Sequence, residues 1–420
     1  MQYNKDEAYN KSAAGKPLEY DRKGPTNNGT IPHPANSSWP TGVSFRKVDG
    51  KLLTTTGVTN SNEVDLETLK PVMLPFVYDD DLGAPYVGPT HATVVDGIVL
   101  HHFVTHVQDS DGDQEYVVTS IEPNHRTRDV IARISRPKAS SWSSKASFQH
   151  MTLATSEYYI MIESSCYYPQ KATPVGEVDW VDFGANEMIK THVRLVDRKT
   201  GESTTWPLST RLFAIHHINA YMDEVSNEIV IDTIRLLPGI VPCSMALKKT
   251  SLKDMTEKWK TDVSGKSGTY VVRLRIPLDR VGETVTPTRT GSNEVAGMEF
   301  PTIRYDDLNG KPYTFFYACY IADKSSGYYD SILKMNVQTG EILLWHEETG
   351  GVYPNEPIFV PDPDGTSEDD GVVLADVLDT ATNTTFLVVL DARTMQEIGR
   401  AGPTPHAIPH GYHGRYFPAV

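Results

Sequence analysis

Five Asp-Gly or Asn-Gly dipeptides constrain this chain more than any other feature: Asp49-Gly50, Asp96-Gly97, Asp111-Gly112, Asn309-Gly310 and Asp370-Gly371. Glycine enters the left-handed backbone region at little cost and Asn and Asp tolerate it, so such pairs predict tight turns between antiparallel strands. Short β-branched and aromatic runs lie between them, as at Gly97-Ile98-Val99-Leu100, Tyr116-Val117-Val118-Thr119, Glu228-Ile229-Val230-Ile231 and Thr385-Phe386-Leu387-Val388-Val389-Leu390. Amphipathic helix patterns are few, and Leu252–Lys260 is the best of them. The class is therefore all-β.

One phrase recurs weakly along the chain. Leu195-Val196-Asp197-Arg198-Lys199-Thr200-Gly201-Glu202 with Trp206 parallels Met335-Asn336-Val337-Gln338-Thr339-Gly340-Glu341 with Trp345. Val389–Glu397 and Val64–Leu69 are looser echoes. Strand, polar turn and second strand make the hairpin that ends a propeller blade, so length and repeat favour a β-propeller over a sandwich. Residues 1–40 read as a polar leader rich in Pro, Gly and Asn, and residues 41–420 as the propeller body.

The 54 acidic side chains outnumber the 39 basic ones, giving a formal charge of -15. That balance, with no basic stripe, opposes nucleic-acid binding, which needs Lys and Arg on phosphates. Cys166, Cys243 and Cys319 are far apart and in no CxxC pattern, as expected of reduced, buried thiols in a cytosolic protein. No apolar run is long enough to span a bilayer, and the N-terminus lacks a signal-peptide core. A soluble cytoplasmic protein is the expectation.

The chain ends on Gly411-Tyr412-His413-Gly414, a segment too rich in histidine and aromatic side chains for a frayed terminus. Glycines on either side of His413 allow a tight bend and a close approach. His91, His150 and His216 also sit where strands begin or end. Neutral imidazole is the commonest protein metal ligand, and an all-imidazole site suits Fe, Cu, Zn or Ni. Glu299 and Glu356, flanked by apolar residues, are candidates to hold the rings from behind. Against this stand 14 histidines in all. A single histidine is a ligand roughly one time in ten by our weighting. His101 and His102 read as packing residues, and Glu299 and Glu356 read equally well as loop caps. Spacing alone does not decide.

The surrounding motifs add to this. Asn355-Glu356-Pro357-Ile358-Phe359-Val360-Pro361 followed by Glu368-Asp369-Asp370-Gly371 resembles the late signature of the carotenoid cleavage oxygenases, a family that includes stilbene dioxygenases and the retinoid isomerohydrolase. Gly411–Gly414 is similar to its terminal Gly-aromatic-His-Gly, and His216-His217-Ile218-Asn219-Ala220-Tyr221 to its His-x-x-Asn-Ala-aromatic segment. His150 with Thr155 and Tyr158, Thr90-His91, and Met298-Glu299-Phe300-Pro301 match further segments, all in the family's order.

The resemblance implies a seven-bladed propeller with a cap of loops and short helices over an axial metal site. It implies that His91, His150, His216 and His413 bind one non-haem Fe(II), with Glu299 orienting His216 and Glu356 orienting His413. The implied reaction adds O2 across one C=C bond of a carotenoid or apocarotenoid, giving two carbonyl products. Alternatives are a stilbene or other aryl-alkene substrate, or an inactive propeller that binds an apolar ligand. Two departures bear on these. Gly57 stands where the family carries a third orienting glutamate, and Thr56 stands where the stilbene branch carries a lysine. The chain also begins after the family's usual opening segment, so an incomplete first blade is expected.

Three other stretches have two readings each. Asp109–Glu115 fails the EF-hand spacing and reads as a solvated turn. Leu236–Leu247 reads equally as a buried strand pair or as a substrate-tunnel lip making peripheral membrane contact. Phe148, Tyr158, Tyr159, Phe213 and Phe300 lie beside the candidate ligands and line either a substrate cavity or the core.

Overall fold

The computed structural model describes residues 44–55, 61–73, 76–82, 88–106, 114–135, 146–164, 166–167, 182–183, 191–236, 269–291, 297–323, 326, 328–348, 350–408, 411 and 413–417. The leader at 1–40, Thr56 and Gly57, residues 109–113, residues 237–247 and the helix pattern at Leu252–Lys260 lie outside them. Two compact units are formed, one within Met1–Thr152, Glu157–Lys190 and Arg194–Ser203, the other within Leu153–Ser156, Thr191–Val193 and Thr204–Val420.

Antiparallel sheets make up the first unit. Ser44–Val48, Lys51–Thr55, Asn62–Val64 and Pro71–Met73 pair in chain order, as do Thr93–Val95, Ile98–His106, Gln114–Ile121 and Asp129–Ser135. A third four-stranded sheet is built around Tyr158–Glu163 and His192–Asp197. In the second unit, His217–Asp223, Glu228–Arg235, Tyr270–Pro277 and Thr288–Arg289 form one sheet. Met298–Thr302, Phe315–Tyr320, Ser331–Asn336 and Ile342–His346 form the next. In the last, Val352–Pro354 and Ile358–Pro361 share the edge of Gly371–Asp379, which continues to Thr384–Asp391 and Glu397–Ala401.

Each sheet is a meander of blade type. Six such sheets occur among the described residues, which corrects the expected seven. A further blade needs four paired strands, and among the described residues the one named strand pair outside the six sheets is Cys166–Tyr167 with Asp182–Phe183, two residues each. The only described helix is Tyr305–Leu308, and no described helix is long and apolar enough to cross a membrane.

The turn chemistry explains why these strands are hairpins. Asp49-Gly50 and Asp96-Gly97 have positive φ at both residues, 49° and 68° and then 52° and 80°, as a two-residue turn between twisted strands requires. Asn309-Gly310 instead follows the short helix, and Asp370-Gly371 opens a strand, where a Cβ on Gly371 would meet the Val360 carbonyl at 2.3 Å. Those two dipeptides are not hairpin turns.

The repeated phrase is a hairpin at all four places. In each, an Asp or Asn carboxyl or amide oxygen accepts a backbone N–H three residues on: Asp65 from Thr68 at 2.7 Å, Asp197 from Thr200 at 2.7 Å, Asn336 from Thr339 at 3.1 Å, Asp391 from Thr394 at 2.8 Å. The next residue is left-handed, Leu69, Gly201, Gly340 and Met395 having φ of 54°, 75°, 76° and 60°. Its N–H closes the turn on the carbonyl of the first residue. The same side-chain turn (Asp223 to Asn227, and Asp379 to Asn383) joins two more strand pairs that sequence reading passed over.

Apolar residues fill the interiors. Tyr317, Ile332, Trp345, Phe359, Val373, Val377, Phe386 and Val388 form a buried cluster in the second unit. Trp206 is buried, and its indole N–H reaches the carbonyls of Pro277 and Arg280 at 3.2 and 3.0 Å. A buried ionic knot joins neighbouring strands of one sheet to the segment before Phe315–Tyr320: Arg273 makes two 2.8 Å bonds to fully buried Asp232, which also accepts the Tyr313 hydroxyl at 2.7 Å.

Candidate metal centre

In the first unit the chain brings His91 and His150 together. His91 forms an isolated parallel bridge with Met151, and its N–H donates to the His150 carbonyl at 3.1 Å. The two rings meet edge to face with centroids 5.0 Å apart. Phe148 stacks on His150 at 6.3 Å, and the Thr90 hydroxyl lies 3.4 Å from His150 Nδ1.

In the second unit it brings together His216 and His413, which are 4.8 Å apart between ring centroids. His216 precedes the strand His217–Asp223, and its Nδ1 is 2.5 Å from Glu299 Oε2. Glu299 sits on Met298–Thr302 at a register shift opposite Cys319. The same carboxylate oxygen accepts the Phe300 N–H at 2.8 Å. Phe300 pays for this turn with a left-handed φ of 58° and lays its ring 5.4 Å from both His216 and His413. His413 Nδ1 is 2.9 Å from Glu356 Oε1, and the Gly414 N–H donates to Glu356 Oε2 at 2.8 Å. Of the two glycines around His413, Gly414 is the one a neighbour demands, since a Cβ there would lie 2.5 Å from Ile358 Cδ1.

Burial sets the electrostatics. It pushes the His216 imidazolium well below its ordinary pKa, helped by the nearby His413, so the ring is neutral as a metal ligand must be. Burial also pushes Glu299 up to about 7, opposed by the backbone N–H of Phe300, by His413 and by the backbone N–H of His216. Tyr329, whose ring meets Phe300 edge-on at 5.9 Å, and the Cys319 thiol are both driven well above their usual values by burial. The surroundings are apolar, and a carboxylate on Nδ1 leaves Nε2 as the ring nitrogen open to a metal. Neutral imidazoles backed by carboxylates suit a divalent first-row ion.

The remaining expected residues fall as follows. His217 faces the other way, with Nδ1 2.8 Å from the Thr233 hydroxyl on the neighbouring strand. His102 is fully buried against Tyr159 at 2.9 Å and His101 reaches the Pro89 carbonyl at 2.9 Å, both packing roles. Asn219 of the His-x-x-Asn motif holds the loop after the short helix, donating to the Leu308 and Lys311 carbonyls and accepting from the Gly310 N–H. Glu368 receives the Thr314 and Phe315 N–H groups, and Asp369 receives buried Lys334 at 2.7 Å. These parts of the late signature stiffen the fold rather than touch the histidines. The Thr90-His91 segment was singled out for the histidine, but the contact of its threonine with His150 escaped sequence reading, because it crosses 60 residues.

Comparison with known proteins agrees with this arrangement. A family model described as retinal pigment epithelial membrane protein (RPE65) matches residues 2–418. The mitochondrial carotenoid-cleaving dioxygenase of Pongo abelii is 43% identical over 29% of this chain and 21% of its own length. The beta,beta-carotene 15,15'-dioxygenase of Gallus gallus is 30% identical over 70% of this chain and 62% of its own. The chloroplastic carotenoid cleavage dioxygenase 8 homolog A of Oryza sativa subsp. japonica is 30% identical over 89% and 64%. The chain thus spans less than two thirds of the length of each of these relatives. Cobalt-substituted Synechocystis ACO superposes with a TM-score of 0.70 at 20% identity, covering 98% of this chain and 82% of that one. An ACO/RPE65 chimera gives 0.72 at 19%, covering 100% and 84%. These likenesses establish an all-β propeller fold. The chain belongs to the RPE65/carotenoid cleavage oxygenase family.

Proposed function

We propose that this chain is a non-haem Fe(II) dioxygenase that cleaves one C=C bond of a carotenoid or apocarotenoid, with His91, His150, His216 and His413 as the ligands of one iron. The observation that carries the reading is the pair of carboxylate-tethered imidazoles, His216 on Glu299 and His413 on Glu356. A carboxylate on Nδ1 is the usual support of a metal-binding histidine and has little other use at two adjacent rings. His91 and His150 supply a second pair, and ligand atoms within each pair lie within 4.8 Å of one another.

Fe(II), when bound, supplies the activation of O2. The rest falls to the protein. Glu299 and Glu356 keep a proton on each Nδ1 and fix the ring planes. Phe300 and Tyr329 pack an apolar wall beside His216 and His413, which keeps water from the reacting alkene. One O2 is consumed per double bond, one oxygen atom entering each carbonyl product, so no external reductant is needed. A polyene is the substrate class of the carotenoid-cleaving relatives. The test is incubation of Fe(II)-loaded protein with a carotenoid, an apocarotenoid and a stilbene under isotopically labelled O2. The reading expects two aldehyde or ketone products from a polyene, each carrying one labelled oxygen. Cleavage of the stilbene alone moves the substrate class, and iron-loaded protein that cleaves none of the three contradicts the reading.

A further inference from the structure

His216 and His413 each have a carboxylate oxygen at Nδ1, at 2.5 and 2.9 Å. At His150 the group facing Nδ1 is the Thr90 hydroxyl, at 3.4 Å. The placement of that hydroxyl is well determined by its surroundings. Thr90 is 4% exposed. Its carbonyl accepts the hydroxyl of buried Thr55 at 2.9 Å, and the next residue's N–H donates to the His150 carbonyl at 3.1 Å. The backbone on both sides of the Thr90 side chain is thus tied, once to the strand Lys51–Thr55 and once to His150 itself. Phe148, stacked on the imidazole, restricts the ring from its face.

We propose that Thr90 is the positioning residue of His150, a neutral hydroxyl that accepts the Nδ1 proton and turns Nε2 toward the metal, as Glu299 and Glu356 do for their rings. The inference rests on the four-histidine iron reading and adds an asymmetry to it. A carboxylate partner raises the basicity of the imidazole it holds, and a hydroxyl does so far less. Carboxylates hold His216 and His413, and at His150 the Thr90 hydroxyl does the orienting. A threonine methyl packed in the same place would not do this, which makes the role testable by chemistry rather than by shape.

The experiment is anaerobic Co(II) titration of metal-free wild type and of Thr90→Ser, Thr90→Val and Thr90→Ala, reading both the dissociation constant and the ligand-field absorption bands. Serine keeps the hydroxyl and is expected to bind within about twofold of wild type with the same bands. Valine keeps the shape but not the hydroxyl, and alanine keeps neither; both are expected to bind on the order of 10-fold more weakly, with shifted bands. Wild-type affinity and bands in the valine or alanine variant overturn the inference, as does a serine variant as weak as valine. Should the valine variant not fold, the serine and alanine pair decides alone. Wild type that takes up no metal overturns the four-histidine reading itself, a result distinct from any difference among the variants.

Discussion

Glu356 holds His413 by two bonds rather than one: Oε1 faces Nδ1 at 2.9 Å while Oε2 takes the N–H of the following Gly414 at 2.8 Å. Ring and backbone are fixed by the same carboxylate. Glu356→Gln keeps one acceptor but sets an amide NH2 against a backbone or ring donor. Fe(II) affinity is expected to fall about 10- to 100-fold, read by anaerobic equilibrium titration. Unchanged affinity would remove Glu356 from the centre.

His216 and His217 are adjacent yet have opposite assignments. His216→Ala should lose the iron, whereas His217→Ala should retain it and lose only the 2.8 Å bond to Thr233, about 1–2 kcal/mol of stability. Metal analysis and urea unfolding of the two variants check this, and iron loss in both with native stability would mean the wrong histidine is named.

Gly340→Ala tests the repeated turn. Gly340 has φ 76°, and an added Cβ would come 2.4 Å from the Gly291 Cα. Left-handed backbone and a backbone collision together should cost more than about 2 kcal/mol. Gly282→Ala, at φ 81° with open space around it, should lose only the backbone part. Equal unfolding midpoints for the two variants would contradict the packing argument.

These turns also show what the sequence made legible. Asp197 to Gly201 and Asn336 to Gly340 were readable because a local side-chain turn is written in consecutive residues. Leu69 and Met395 fill the same left-handed position without a glycine, so their hairpins registered only as echoes. The histidines and their carboxylates were found through motifs, since the ties themselves cross 83 residues from His216 to Glu299 and 57 from Glu356 to His413. No local pattern records such a contact. The blade number was taken from the resemblance rather than from a repeat, and there it failed. The Thr90 hydroxyl and the left-handed Phe300 depend on tertiary placement, where local preference is overruled.

Acid sensitivity should be visible at Asp80. Burial alone would raise its carboxyl pKa, but hydrogen bonds from the Arg128 guanidinium and N–H outweigh burial and hold it below the ordinary 3.8. A depressed folded-state pKa means the contribution is complete above the unfolded value of about 3.9 and is lost as pH falls through the folded value. Asp80→Asn should therefore be less stable than wild type near neutrality, and the gap should close below about pH 4. A gap that stays constant across that window would contradict the ion pair's role.

The most direct test of the central claim is the metal content of protein purified anaerobically with Fe(II), beside His150→Ala and His413→Ala. One variant is taken from each histidine pair. The account predicts near-stoichiometric iron in the wild type and its loss in both variants, with folding retained. Well-folded wild type without iron, or iron that survives either substitution undiminished, would contradict it.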